Sequence, residues 1–271
     1  MREGARILGL PLAAWPRILA PLLMATLLLG GWEIAVRHLG LPPYVLPGPV
    51  AIGGALAADL PTLASALAVT LRVTALALVA AVTTGVGLSL LFSGSRLMEM
   101  TFLPLAVMLQ VTPIVAIAPL IIIWVDNVQA ALLICAWIVA FFPILSNTTA
   151  GLNGTDRNLA DLFRLYGASR WQTLWQLRLP WAMPFFLAGL RISGGLSLIG
   201  AVVAEFVAGA GGTGSGLAYR ILEAGYQLQI PRMFAALALI SLAGVVIFLA
   251  LSLVSHLALR RWHESAVGKE R

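Results

Sequence analysis

Residues 129–150 read QAALLICAWIVAFFPILSNTTA, 22 positions without a charged side chain. At about 1.5 Å of rise per residue, a helix of this length crosses the hydrocarbon of a bilayer. The run lacks the strict alternation of a barrel strand. A helix also satisfies its own backbone groups, which lipid cannot do. Polar residues bound it, with Asp126 and Asn127 before it and Asn153, Thr155 and Asp156 after it.

On either side of this stretch the same pattern recurs. Residues 18–36, 73–92 and 102–124 precede it, and residues 184–209 and 234–259 follow it. The expected fold is an all-α integral membrane protein with six transmembrane helices and a large inside loop between spans four and five. Composition agrees. The 271 residues are 60% hydrophobic and 10% charged, against about 25% charged in a soluble domain. That balance excludes a disordered chain, a fibrous chain and an ordinary soluble enzyme. We divide the chain into residues 1–62 (tail, first span and a Pro-rich outer loop), 63–262 (the core of spans two to six, with the loop at 151–183) and 263–271 (a tail). Arg2 and Arg6 before a short apolar run resemble a signal peptide, but Pro16 and Arg17 interrupt it, so the first span reads as uncleaved.

Cations set the orientation. With the N-terminus inside, twelve of the 17 Lys and Arg fall inside, Arg157, Arg164, Arg170 and Arg178 among them; only Arg37, Arg220 and Arg232 fall outside. Both termini are therefore expected in the cytoplasm. The net charge of +6 is spread thinly, without a dense basic run. It reads as anchoring to the lipid bilayer, and no nucleic-acid partner is expected. Cys135 is the one cysteine, and His38, His256 and His263 are scattered. No metal site, cofactor, Ser-His-Asp set or other catalytic set is expected. Gly209, Gly211 and Gly214 have GxGxxG spacing, but a membrane span precedes them where a nucleotide site needs a strand. They read as a flexible outer turn.

The loop at 151–183 carries the densest pattern. Asn153, Thr155 and Asp156 are helix start signals. A short helix over 158–166, a break at Gly167 and a second helix to about Leu177 follow, with Pro180 and Pro184 delimiting entry to the fifth span. Leu162, Phe163, Leu165 and Tyr166 make an apolar face. Such a face suits docking to another protein. It equally suits a helix lying on headgroups with Arg164, Arg170 and Arg178 as anchors.

Within the spans, polar residues are few. Gly189, Ser193, Ser197, Ala201 and Glu205 recur every four residues and make one small-residue stripe, which suits close helix packing or the lining of a path. Glu205 is expected to face the bundle interior, because a carboxylate in lipid is costly. Glu33 reads as a snorkelling or helix-end contact. Gln110, Thr112, Asn147, Ser197 and Glu205 are the residues proposed beside a solute path. Pro113, Pro119 and Pro143 are expected to kink their helices.

Asp161, Leu162 and Phe163, then Gly167, then Leu177, Leu179 and Pro180 have the spacing of the loop motif in permease subunits of bacterial ABC importers. TPIVAIAPLIIIW from Thr112, FFPILSNTTAGL from Phe141 and GLRISGGLSLIGAVVAEFVAG from Gly189 resemble the branch importing nitrate, sulfonates, taurine and bicarbonate. Related members are associated with thiamine-precursor pyrimidines and riboflavin. Asp161 stands where the family usually has Glu, and Phe163 where it usually has Ala. Asp keeps the charge with a shorter reach. The resemblance implies a non-enzymatic permease in the bacterial inner membrane, working as a homodimer. A separate ABC ATPase subunit would engage Asp161, Leu162, Phe163, Tyr166, Gly167, Leu177 and Pro180. An external or periplasmic solute-binding protein would deliver a small solute. The rival class is a secondary transporter, which requires paired broken helices in two inverted halves.

Overall fold

The computed structural model describes residues 6–7, 10–11, 15–209 and 214–260. The tail at 263–271 and the glycine turn at 210–213 lie outside the described residues. Arg6–Ile7 pairs antiparallel with Leu10–Pro11 over two residues; helices follow. They are α1 (Trp15–His38), α2 (Pro49–Ala58), α3 (Leu60–Gly94), α4 (Arg96–Val111), α5 (Ile114–Trp124) and α6 (Val128–Asn153). Then come α7 (Arg157–Leu165), α8 (Arg170–Thr173), a π turn (Leu174–Arg178), α9 (Leu179–Ala208), α10 (Leu217–Tyr226) and α11 (Ile230–Leu259).

Among the described residues, five helices are long and apolar enough to cross a membrane, and a sixth crossing requires α4 and α5 together. The third expected span is thus not one rod. Its halves meet at 100°. Pro113 has no N–H and pushes Thr112 out of the helical region, to φ −66° and ψ 124°. The second span is longer than expected, because Leu60–Gly94 runs unbroken for 35 residues. The division drawn between residues 62 and 63 falls inside this helix.

The break expected at Pro180 and Pro184 is absent. Arg170–Ala208 forms one continuous rod. The π turn explains this. Leu179 N–H reaches back five residues to Leu174 O, and the wider turn makes room for the Pro180 ring, whose nitrogen has no proton to donate.

At the centre, α6 and α9 pack along their lengths on glycines. A methyl group at Gly189 would lie 2.6 Å from the Pro143 carbonyl oxygen, and one at Gly200 would lie 2.8 Å from Ala136 Cα. One at Gly151 would lie 2.8 Å from Ala182 Cα. Backbones that approach this closely gain dispersion contacts that lipid cannot match. α3 closes the other side of α6, with Gly85 against Ile144. Two buried hydroxyls are satisfied by carbonyls: Ser193 donates to Ala140 O at 2.6 Å, and Ser89 to Leu145 O at 3.1 Å. By contrast, α1 and α11 present Leu22, Leu23, Leu27, Val245, Phe248 and Leu249 outward, as lipid-facing helices should. Trp32 and Phe234 join these two at 6.2 Å between ring centroids.

Candidate functional site

The connection from α6 to α9 is built from local signals. Asp156 caps α7 by accepting from Asn158 N–H at 2.8 Å. The helix ends in a six-residue turn: Ala168 N–H donates to Phe163 O and Gly167 N–H to Arg164 O. That motif needs a left-handed residue, and Gly167 supplies it at φ +73°. Ser169 and Gln172 then form a reciprocal capping box that restarts the chain as α8. Two caps and one glycine thus set α7 apart from both neighbouring rods. The expected start at Asn158 moves one residue earlier.

α7 is one of the most exposed parts of the bundle. Leu165 and Tyr166 are each 84% exposed, and Leu162 is 45% exposed. Asp161 is exposed and pairs with Arg164 at 3.4 Å. It lies on the wall of a cavity of about 400 Å³, opposite the Leu162–Phe163 face. Leu177 is buried at the root of the loop, and Pro180 sits just beyond it. Arg178 is more than an anchor: it donates to Ser93 Oγ at 3.1 Å and to Ser93 O at 3.4 Å, tying the loop to the end of α3. Beside it, Asn153 donates to Glu99 Oε1 at 3.1 Å and ties α6 to α4.

The opposite end of the bundle carries α2, within the stretch expected as a Pro-rich outer loop, and α10. Each begins at a glycine with no capping side chain, Gly48 and Gly216. Each is capped instead by a carboxylate from the span that leads into it. Glu33 of α1 accepts from Val50 N–H at 3.1 Å. Glu205 of α9 is 3% exposed and accepts from Ala218 N–H at 3.1 Å. Thr70 of α3 completes the second cap. Its hydroxyl donates to Glu205 Oε1 at 2.8 Å and accepts from Leu217 N–H at 2.9 Å. Gly216 backs directly onto the Glu205 carboxylate, leaving no room for a Cβ. The first N–H groups of α10 have no partners inside their own helix, and a carboxylate in a bundle needs donors; each answers the other. An ion-pair chain completes this end: Arg232 with Asp59 at 2.6 Å and with Glu223 at 3.6 Å, and Arg220 with Glu223 at 2.9 Å.

The five residues proposed beside a path are not gathered together. Gln110 and Thr112 are exposed at the α4–α5 bend, where Thr112 Oγ1 donates to Met108 O at 2.7 Å. Asn147 is half-buried and donates to Pro143 O at 2.9 Å. Ser197 is fully buried against its own helix, donating to Gly194 O at 2.9 Å. Glu205 is likewise buried within the chain. All five residues of the stripe from Gly189 to Glu205 are buried within the chain. Thr70 escaped notice because a threonine within an apolar helix has no distinguishing neighbour in sequence.

Comparison with known proteins adds a second line of information. Residues 81–264 match the model of the family described as "binding-protein-dependent transport system inner membrane component". The chain is 33% identical over 274 residues to the riboflavin transport system permease protein of Chloroflexus aurantiacus, covering 97% of each. It is 32% identical to the formylaminopyrimidine transport permease protein of Halalkalibacterium halodurans, over 89% of this chain and 95% of that one. The taurine transport system permease protein of Escherichia coli is 28% identical, over 89% and 88% of the two chains. A crystal structure of an amino acid ABC transporter aligns with a TM-score of 0.61 at 19% identity, covering 76% of this chain and 96% of that one. That last likeness concerns the fold.

Proposed function

Because this chain belongs to the binding-protein-dependent transport system inner membrane components, we propose that α7 is the element through which a partner ATPase drives it. The chain is the membrane permease subunit of an ABC importer, a transport component whose ATPase is a separate subunit. The secondary-transporter alternative is set aside by the same match.

The exposed apolar face of α7 carries the reading of the loop. A short capped helix showing Leu162, Leu165 and Tyr166 to solvent has unused contact surface that a second protein would bury. In this reading Leu162, Phe163 and Tyr166 enter a cleft of the ATPase, and Asp161 supplies a charged contact at its edge. Gly167 fixes the exit turn, while Leu177 and Pro180 root the loop in the bundle. The loop end then lies in the cytoplasm with both termini, and the membrane is the bacterial inner membrane. The α2–α10 end faces the external solute-binding protein. Two copies of the chain enclose the path, with Gln110, Thr112 and Asn147 turned toward it.

For the solute we propose a small heterocycle of the vitamin-precursor class. What supports this is the 32–33% identity, along nearly the whole chain, to the permeases named for formylaminopyrimidine and riboflavin. The taurine permease is less similar, at 28%. The test uses the importer reconstituted with its ATPase and binding protein. Uptake of labelled formylaminopyrimidine or riboflavin supports the assignment. Uptake of taurine or nitrate alone replaces it with the small-anion class. Gly167→Val with Tyr166→Asp should abolish both ATPase co-purification and uptake while leaving membrane insertion intact. Undiminished co-purification would remove α7 from the coupling role.

A further inference from the structure

α7 has two chemically different faces. Leu159, Leu162, Phe163 and Tyr166 occupy one; Arg157, Ala160, Asp161 and Arg164 occupy the other at the same three- and four-residue spacing. The second face walls the cavity of about 400 Å³, which Asn153 and Thr155 of the preceding connection and Arg178 of the π turn complete. Three guanidinium groups thus surround it against a single carboxylate. That carboxylate, on Asp161, is held by Arg164 at 3.4 Å. Arg157 and Arg178 have no ion-pair partner among the described residues. Arg178 spends one nitrogen on the neutral groups of Ser93, so its charge and most of its five N–H donors remain uncompensated.

The depth of this cavity is marked independently. Trp171 and Trp175, 70% and 65% exposed, precede Arg178 on the same rod at four- and three-residue steps. Exposed tryptophans on a rod entering a membrane mark headgroup level, where the ring is half in lipid and its N–H is wet. Planar guanidinium forks match phosphate oxygens in pairs. A basic cavity between helix ends at that depth suits a phosphate carried by lipid. We infer that Arg157, Arg164 and Arg178 form a binding site for the phosphate of an anionic phospholipid headgroup, beneath α7 and separate from its docking face. Free phosphate offers the same oxygens, but the tryptophan pair favours the lipid-borne anion. A headgroup held there bridges the end of α6, the inner face of α7 and the root of α9.

The site is tested on the purified full chain, without ATPase or binding protein, so the outcome is independent of the docking role. Native mass spectrometry in micelles containing phosphatidylglycerol and phosphatidylcholine reads the ratio of retained lipids. Each cavity arginine removed should lower the preference for phosphatidylglycerol about fivefold, so R157Q/R164Q should lose roughly twenty-five-fold. R170Q makes a unit charge change outside the cavity and should leave the preference intact. Should the double variant aggregate, R164Q alone carries the test through its fivefold loss, because that side chain is exposed. An unchanged preference in the cavity variants overturns the assignment. So does an equal loss in R170Q, which would reduce the effect to general surface charge. Displacement of the lipid by millimolar inorganic phosphate would also overturn it, in favour of a free anion.

Discussion

Thr70→Val is the sharpest probe of the buried cap on α10. Valine has nearly the shape of threonine, so no cavity forms; what goes is one hydroxyl that is both donor and acceptor. Its bond to Glu205 Oε1 at 2.8 Å and the bond it accepts from Leu217 N–H at 2.9 Å are both lost. The first contributes about 1–2 kcal/mol, and stranding a buried N–H costs about 1–3 kcal/mol more. Thr70 is 0% exposed, so water cannot stand in without opening the bundle. A combined penalty of about 3 kcal/mol raises the population of detached α10 by roughly two orders of magnitude. Amide hydrogen exchange across the first turn of α10 reads this directly, and exchange in α6 serves as the internal control. Thr70→Ser keeps the hydroxyl and should restore most of the protection. If Thr70→Val leaves exchange at Leu217 and Ala218 within about threefold of wild type, local opening is not limited by these bonds. Equal loss in the serine variant would point to packing of the methyl group. Either result refutes the cap as described.

Three further outcomes are expected. Gly189→Leu should destabilise the bundle by at least about 1–3 kcal/mol through its clash with the Pro143 carbonyl, whereas Gly195→Ala, with open space beside it, should be neutral or stabilising by up to about 1 kcal/mol; thermal unfolding in detergent separates them. Cysteines placed at Leu165 and at Tyr226, exposed 84% and 86%, should label from opposite sides of sealed vesicles, and same-side labelling would overturn the topology. Arg232→Gln breaks its pairs with Asp59 and Glu223 and should loosen α2 and α10 together, seen as faster exchange in both; loss in one alone would deny that the ion pairs connect them.

The spans were legible because lipid imposes a simple rule: a long run such as 129–150 without charge has few other fates. The two ends of α7 were legible because Asp156 and Gly167 carry their conformational preferences with them. Three features were hidden for definite reasons. The 100° bend follows from Pro113, yet a proline fixes where a helix breaks and not the angle of the chain beyond it. α2 and α10 start at glycines, and their caps come from Glu33, Glu205 and Thr70 on other helices; local sequence contains no trace of a cap supplied across the bundle. The uninterrupted rod at Arg170–Ala208 escaped because Pro180 signals a break, while the π turn that accommodates it has no residue signature.

The glycine seam between α6 and α9 has a mechanical meaning. α7 hangs between the C-terminal end of one rod and the N-terminal extension of the other. Those rods touch backbone to backbone at Gly151, Gly189 and Gly200, leaving no soft side-chain layer to absorb a displacement. A force applied to α7 therefore reaches a stiff two-bar beam rather than two independent levers. Arg178, hooked onto Ser93, passes part of the same load to α3. Compliance is left to the places where regular helix gives out, the Gly167 turn and the Thr112–Pro113 elbow, so motion of the loop tilts the beam as one body and bends the chain at those joints.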